Sequence, residues 1–363
     1  MKSKLTIKQL ADLAGVSIGT VDRALNNRSG ISEETKNKIL KIAQDYDYKT
    51  NKLASALVRQ KSIRIGIVAP FSRLISLDIE NGMKQAQYEL SDFNIQLKFF
   101  YTKDFEPKKQ IEVLEQINLD EFDALLINAC GESVEKYFER YFESNIPVAT
   151  FNSDITTPKR LFFIGQDSYK AGALAAGMLR YSLKEDRKVA IFTGFCDVES
   201  HKQRCCGFID ELGMYFKNLD FIGPLEYFDD EKYAYNVAYE QFLKYGEEIQ
   251  TVFTTTAPGT VGIIKAAKEV YQKDLPQIIG YDFNEYVKEF LIQDDCFAVI
   301  YQSPFVQGYY AVKMLVDHIV FGWTPKGDNI FVAPRIILKQ NIDEFEDSRE
   351  DLSNYIGLNF LNS

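Results

Sequence analysis

Thr6-Ile-Lys-Gln-Leu-Ala-Asp-Leu-Ala-Gly-Val-Ser-Ile-Gly-Thr-Val-Asp-Arg-Ala-Leu-Asn26 spells two helices and the turn between them. Thr6 and Gln9 stand at capping-box spacing, where hydroxyl and amide satisfy free N–H groups at a helix start. Ile7, Leu10, Ala11 and Ala14 follow at i, i+3, i+4 and i+7, so one face is apolar. Gly15 suits the left-handed position that closes a helix, and Ser17 suits the cap of the next. The second helix buries Val21, Ala24 and Leu25 and leaves Ile18, Gly19, Asp22 and Arg23 outward. A third helix starts at Ser32, with Glu33 and Glu34 at its positive end and Ile39, Ile42, Ala43 and Tyr46 turned inward. Three short helices around one small core form the smallest unit that lays a helix in a major groove.

Charge separates this head from the rest. Through Lys61 there are twelve Lys and Arg against six acids, a balance of +6, while the chain as a whole carries −10 and the remainder therefore −16. A basic head on an acidic body places any contact with a polyanion in the head. With 363 residues, 46% of them hydrophobic, the chain can bury more than one core. There is no apolar leader and no apolar run long enough to cross a membrane, so a cytoplasmic protein is expected. The cysteines at 130, 196, 205, 206 and 296 are odd in number and lack C-x-x-C spacing, which indicates neither a disulfide framework nor a metal site.

The run Thr6 to Asn26, with Ser32-Glu-Glu-Thr35 and Tyr48-Lys-Thr-Asn-Lys-Leu-Ala-Ser-Ala-Leu57, resembles the head of the lactose-repressor (LacI/GalR) family. The resemblance implies a helix-turn-helix domain at 1–50 and a hinge helix or linker at 51–62. It places Thr6, Ser17, Thr20, Arg23, Asn26, Ser32 and Thr35 at double-stranded DNA. Thr20, Asn26, Ser32 and Thr35 would mainly meet phosphates; Arg23 would donate twice to a guanine, hold a phosphate or stay solvated. Two positions depart from the family. Gly19 has no side chain to read a base, which leaves Ile18 against a thymine methyl, or DNA shape. Asp22 would repel a phosphate; it could accept from a cytosine amino group, orient Arg23, or stay solvated. In the hinge, which is too short for a stable lone helix, the family sends paired copies into the minor groove on the operator. Asn51 and Ala54 align there, and Leu57 stands where an apolar wedge unstacks a base step.

Beyond Ser62, short apolar runs from Arg64–Pro70 to Phe331–Leu338 alternate with helical stretches such as Ile79–Leu90 and Ile111–Ile117. Such alternation predicts parallel sheets covered on both faces, and the runs are too many for one compact doubly wound domain. An α/β body of two doubly wound parallel-sheet lobes is expected. From Ile63 to about Ile342 the chain resembles the type I periplasmic sugar-binding fold of ribose-binding proteins. The expected body is 63–342, with lobe 1 at about 63–165 and 303–328, lobe 2 at about 166–302 and 329–342, and an acidic tail at 343–363.

That resemblance implies a polyhydroxylated ligand held at strand ends. Asn128, Asn152, Arg204, Asp282 and Gln302 match polar ligand contacts, Tyr281 an aromatic position, and Thr256 stands where an Asn is common. Gln166 replaces a small hydroxyl residue. The loop at Phe71 lacks a stacked pair of aromatics; Phe71 itself either covers a sugar face or packs in the core. Arg73 and Arg204 would suit an acidic or phosphorylated sugar, or simply balance nearby acids. Ser153 and Asp154 would meet the ligand or cap the next turn.

Enzymatic patterns fail on context. Gly15-Val-Ser-Ile-Gly19 has nucleophile-elbow spacing, but a capped helix stands where that motif needs a strand. His201 and His318 are far apart; His201, one helical turn before Arg204, would line the cleft or, the favoured expectation, lie at the surface, and packing or an interface is expected for His318. No cofactor, metal or catalysis is expected. The expected protein is a homodimeric regulator, a repressor on a pseudo-palindromic operator, controlled by a monosaccharide, polyol or derivative; the alternative is a solute sensor that does not act on DNA.

Overall fold

The computed structural model describes residues 7–25, 31–45, 62–70, 76–102, 107–144, 146–155 and 159–352. Thr6, Asn26, Tyr46, Asn51, Ala54, Leu57, Phe71 and Arg73 lie outside them. The chain divides into two compact units: Met1–Ser62 with Asp92–Asn94 and Val316–Thr324, and Ile63–Ser91, Ile95–Leu315 and Pro325–Ser363.

In the first unit, α1 (Ile7–Ala14), α2 (Ile18–Leu25) and α3 (Glu33–Asp45) pack together. Leu10, Ala11, Ala14, Val21, Ala24, Ile39 and Ala43 form the core, with Val16, Leu25, Ile31 and Ile42 against it. Gly15 takes a φ of +68°, the left-handed exit that a residue without Cβ adopts without strain. Lys38 on α3 donates from Nζ to the Ala14 carbonyl at 2.9 Å, so a cation satisfies the C-terminal end of α1.

The second unit holds two six-stranded sheets. The first contains β1 (Ile63–Pro70), β2 (Ile95–Thr102), β3 (Ala124–Ile127), β4 (Val148–Phe151), β5 (Phe163–Gln166) and β11 (Asn329–Val332), ordered β11-β5-β4-β3-β1-β2. The second contains β6 (Lys188–Thr193), β7 (Asp220–Glu226), β8 (Ile249–Thr254), β9 (Gln277–Tyr281), β10 (Ala298–Tyr301) and β12 (Arg335–Ile337), ordered β12-β10-β9-β8-β6-β7. Every pairing is parallel except β10 with β12. Central strands β3 and β4 are buried at every residue, as helices on both faces require, whereas the edge strand β2 mixes buried and exposed positions. Around the second sheet, one apolar cluster centres on Phe192, Phe242 and Ile264, and another on the stacked rings of Phe208 and Phe253, 4.2 Å apart.

Two expectations need correction. Phe331–Leu338 is not one strand. Asn329–Val332 pairs with β5 in the first sheet, Arg335–Ile337 pairs with β10 in the second, and residues 329–332 therefore leave the second lobe. Pro334 stands between them, where a residue without N–H cannot extend a ladder. Nor does the body stop at 342. Ile342–Ser348 is a helix whose Ile342 and Phe345 enter the core of the second sheet, with Phe345 edge-on to Phe283 and Tyr301, each at 4.8 Å. Acids surround it in sequence, and the apolar i, i+3 pair among them decides the packing. Among the described residues, no helix is long and apolar enough to cross a membrane.

Candidate functional site

The head presents the same device twice. At the start of α2, Ser17 Oγ accepts from the Thr20 N–H at 3.1 Å and lies 2.9 Å from the Thr20 hydroxyl. At the start of α3, Ser32 Oγ accepts from the Thr35 N–H at 3.2 Å and lies 2.8 Å from the Thr35 hydroxyl. Ser17 and Ser32 are exposed, so each positive helix end offers solvent a hydroxyl beside its free N–H groups, an arrangement that receives phosphate oxygens. Arg23 is exposed in the last turn of α2. The backbones of Ile18 and Asp22 lie on the same helix. Lys38, whose contact with α1 fixes the packing of α3, carried no sequence signal beyond its charge.

In the second unit, the polar candidates leave the carboxyl ends of their strands. Asn128 follows β3, Asn152 follows β4, Tyr281 ends β9 with Asp282 next, and Gln302 follows β10. Asn152 and Asp282 take φ values of +63° and +60°; Asn and Asp tolerate this region better than other side chains with a Cβ. All are nearly out of solvent, from 8% exposure at Asn152 down to none at Tyr281.

One hydrogen-bond chain connects them across the lobes. Asn128 Nδ2 donates to Asn152 Oδ1 at 3.4 Å, and Asn152 Nδ2 donates to Gln302 Oε1 at 3.0 Å. Gln302 Oε1 also accepts from Arg204 Nη2 at 2.9 Å, while Gln302 Nε2 donates to Asp282 Oδ2 at 2.9 Å. Arg204 comes from the buried face of the helix Glu199–Gly213; its Nη1 donates to the Thr255 carbonyl at 2.7 Å and its guanidinium lies 4.1 Å from the Tyr281 ring centre. The Tyr281 hydroxyl donates to Gln166 Oε1 at 2.9 Å, which ties the end of β5 to the second sheet.

The structure thus brings together Asn128, Asn152, Arg204, Tyr281, Asp282 and Gln302. Thr256 is buried nearby, its hydroxyl 2.8 Å from the Tyr227 hydroxyl. Asp154 pairs with Arg160, whose Nε and Nη2 donate to its two oxygens at 2.8 and 2.5 Å. His201 corrects an expectation: it is not at the surface but 4% exposed, its Nδ1 accepting from the Phe195 N–H at 3.1 Å. It lies one helical turn before Arg204, on the face that Arg204 shares.

Two further side chains carry little signal in the sequence. Gln307 is fully buried; it donates to the Gln302 carbonyl at 2.7 Å and accepts from Asn152 Nδ2 at 3.4 Å. Its signal was a lone amide in the apolar run Phe305-Val-Gln-Gly308. Asp229 follows β7 in a left-handed conformation (φ 55°); the residue is half-buried, with Oδ1 out of solvent, within a run of turn residues that gives no hint of it.

The electrostatics follow from burial. Asp282 is pushed up to about 6 by desolvation, with Arg204 and Gln302 pulling partway back. Asp229 is also pushed up to about 6 by desolvation, against its hydrogen bond with Thr256 and the charge of Arg204. Desolvation, then the nearby Arg204 charge, hold His201 well below the usual imidazole range. Three polar atoms in this group are out of solvent without a hydrogen-bond partner: Asp282 Oδ1, Asp229 Oδ1 and Arg204 Nε. Buried polar atoms are ordinarily partnered, so three in one cleft mark a place for donors and acceptors from a ligand.

A family profile described as periplasmic binding protein domain matches residues 72–322, and one described as bacterial regulatory proteins, lacI family, matches residues 6–51. Over 299 residues the chain is 27% identical to a Bacillus subtilis protein named Probable HTH-type transcriptional repressor ExuR, across 78% of this chain and 84% of that one. It is 25% identical over 295 residues to the ribose operon repressor of the same organism, across 76% and 81%. Among solved structures, GanP, a glucose-galactose binding protein from Geobacillus stearothermophilus, superposes with a TM-score of 0.71 at 24% identity over 78% of this chain and 99% of that one. An ABC transporter solute-binding protein from Agrobacterium vitis with bound D-fucose superposes with a TM-score of 0.73 at 20% identity over 79% and 99%.

Proposed function

The chain belongs to the periplasmic binding protein domain family and joins that body to a lacI-family head, and from this premise we propose a sequence-specific DNA-binding repressor controlled by a small polyhydroxylated ligand. The ligand occupies the cleft at the strand ends, where Asn128, Asn152, Arg204, Tyr281, Asp282 and Gln302 supply amide, carboxylate, guanidinium and aromatic groups. Such groups make paired hydrogen bonds to neighbouring hydroxyls. The observation that carries the reading is the buried chain of side chains spanning both lobes, with three polar atoms left unpartnered. A ligand completing those bonds favours one lobe arrangement by its differential affinity, and that is the only way a ligand shifts an equilibrium.

In the head, Ser17, Thr20, Ser32 and Thr35 hold phosphates and Arg23 reads a base edge. The protein acts as a homodimer, so paired heads meet a pseudo-palindromic operator and paired hinges around Leu57 enter its minor groove. Lobe rotation alters the separation of the hinges and so their helix–coil balance. Coupling of this kind is reciprocal: the operator changes ligand affinity by the factor by which ligand changes operator affinity.

The test is a thermal-shift screen of monosaccharides and polyols on the full chain, followed by operator binding with each ligand that stabilises it. A stabilising ligand that changes the dissociation constant for a selected duplex supports the reading. A ligand that binds without affecting DNA would make the protein a solute sensor instead.

A further inference from the structure

We propose that Asp229 is a second ligand-accepting carboxylate in the cleft, and that Asp229 and Asp282 together select an uncharged polyol or an amino sugar over sugar acids and sugar phosphates. The inference deepens the reading above and rests on it. Asp282 is 4% exposed; Gln302 occupies its Oδ2, and Oδ1 has no partner. Asp229 is half-buried, but its Oδ1 is out of solvent and unpartnered; a Cβ added to Gly194 would lie 3.3 Å from it and 2.8 Å from His201 Cε1, which places the carboxylate beside His201. Arg204, 3% exposed, has an unpartnered Nε, and its charge acts on both carboxylates.

Among these three orphan atoms, acceptors outnumber donors two to one. Among the described residues that face the two carboxylates, the groups able to carry charge are Arg204, Asp230, His201 and the phenols of Tyr227 and Tyr281. His201 is held neutral by burial, so one guanidinium faces two carboxylates. An entering carboxylate or phosphate would add a third anion to a poorly solvated cleft, which is strongly unfavourable. Hydroxyl or ammonium hydrogens would instead complete both orphan oxygens.

The sign of the pH dependence follows. A ligand that donates to Asp229 and Asp282 binds their ionised forms, and both carboxyls titrate at about 6 in the free protein. Ligand affinity therefore rises with pH through that region and levels off above it.

The experiment is calorimetric titration of the full-length protein with neutral pentoses and hexoses, glucosamine, galacturonate and galactose 6-phosphate, at about pH 5 and about pH 7.5. The proposal expects the best ligand to be neutral or amino-bearing, with affinity on the order of a hundredfold higher at the upper pH, about tenfold for each of the two carboxylates. Asp229→Asn keeps shape and is expected to lower affinity at pH 7.5 by about tenfold and to reduce the pH effect to the roughly tenfold part that Asp282 supplies. A circular-dichroism melt confirms that the variant is folded, and the wild-type pH profile stands independently of it. Strongest binding of galacturonate or the phosphate, or unchanged affinity and pH profile in Asp229→Asn, would overturn the inference while leaving a ligand-controlled repressor intact. If no compound in the panel bound, the polyhydroxyl reading of the cleft would fall, and this inference with it.

Discussion

Asn152 turns out of β4 at φ +63° and joins four side chains: Asn128, Gln302, Gln307 and, through Gln302, Arg204. Replacing it with Ala removes both amide partners and puts a methyl side chain in a left-handed conformation that costs roughly 1–2 kcal/mol. We expect Asn152→Ala to melt lower by several degrees and to lose at least tenfold in ligand affinity, measured by thermal denaturation and calorimetry. Asp282 makes a second prediction. Its folded-state value of about 6 lies above the ordinary carboxylate range, so the folded state holds a proton that the unfolded chain releases earlier. Its contribution to stability is therefore present at low pH and lost as pH rises through 6. The unliganded wild type should lose more stability than Asp282→Asn between about pH 4.5 and pH 7; equal losses would reject the assignment. At this scale the strand-end residues were legible, because an Asn or Asp closing an apolar run has little reason to be there except to face the cleft. Gln307 and Asp229 were not. Burial of the first depends on how the helix Pro304–Phe321 meets Gln302, and the second is a half-buried turn residue whose Oδ1 alone is out of solvent.

The elements set where those side chains point. The helices Ser168–Leu179 and Glu199–Gly213 cross at two glycines: an added Cβ on Gly172 would lie 2.0 Å from the Arg204 carbonyl, and one on Gly207 would lie 2.0 Å from the Tyr169 carbonyl. Gly172→Ala must push the two helices apart, and the displaced backbone is that of Arg204 itself. We expect lowered stability by about 1–3 kcal/mol together with weakened ligand binding, although the methyl touches no ligand. Gly177 on the same helix has nothing within 4 Å of an added Cβ, so Gly177→Ala should leave ligand affinity unchanged. Binding of wild-type strength by Gly172→Ala would dissociate the crossing from the site. The helix Ile342–Ser348 gives a further test: Phe345→Ala should cost about 3–5 kcal/mol in chemical denaturation, because it empties a ring-sized site between Phe283 and Tyr301. Strand existence and helix alternation were legible from periodicity. The split of residues 329–338 between two sheets was not, since both halves are equally apolar and only tertiary pairing distinguishes them.

At the scale of the whole molecule, charge and family resemblance agree. The basic head and acidic body assign phosphate contact to residues before about 62, so binding to a duplex should weaken steeply with salt. A chain lacking residues 1–61 should keep its ligand and lose DNA; loss of both would contradict a division of labour between head and body. The two-lobed body was readable from strand count and alternation, whereas the charge class proposed for the ligand rests on burial around Arg204, which no sequence pattern displays. The central claim is that cleft occupancy sets operator affinity. It is tested most directly by fluorescence anisotropy of full-length protein on a duplex selected from a random pool, titrated at fixed salt with and without a ligand that raises the melting temperature. The account predicts a sequence-preferring, salt-sensitive affinity that changes at least fivefold on adding the ligand, a coupling of about 1 kcal/mol or more. An identical dissociation constant at zero and saturating ligand would contradict it.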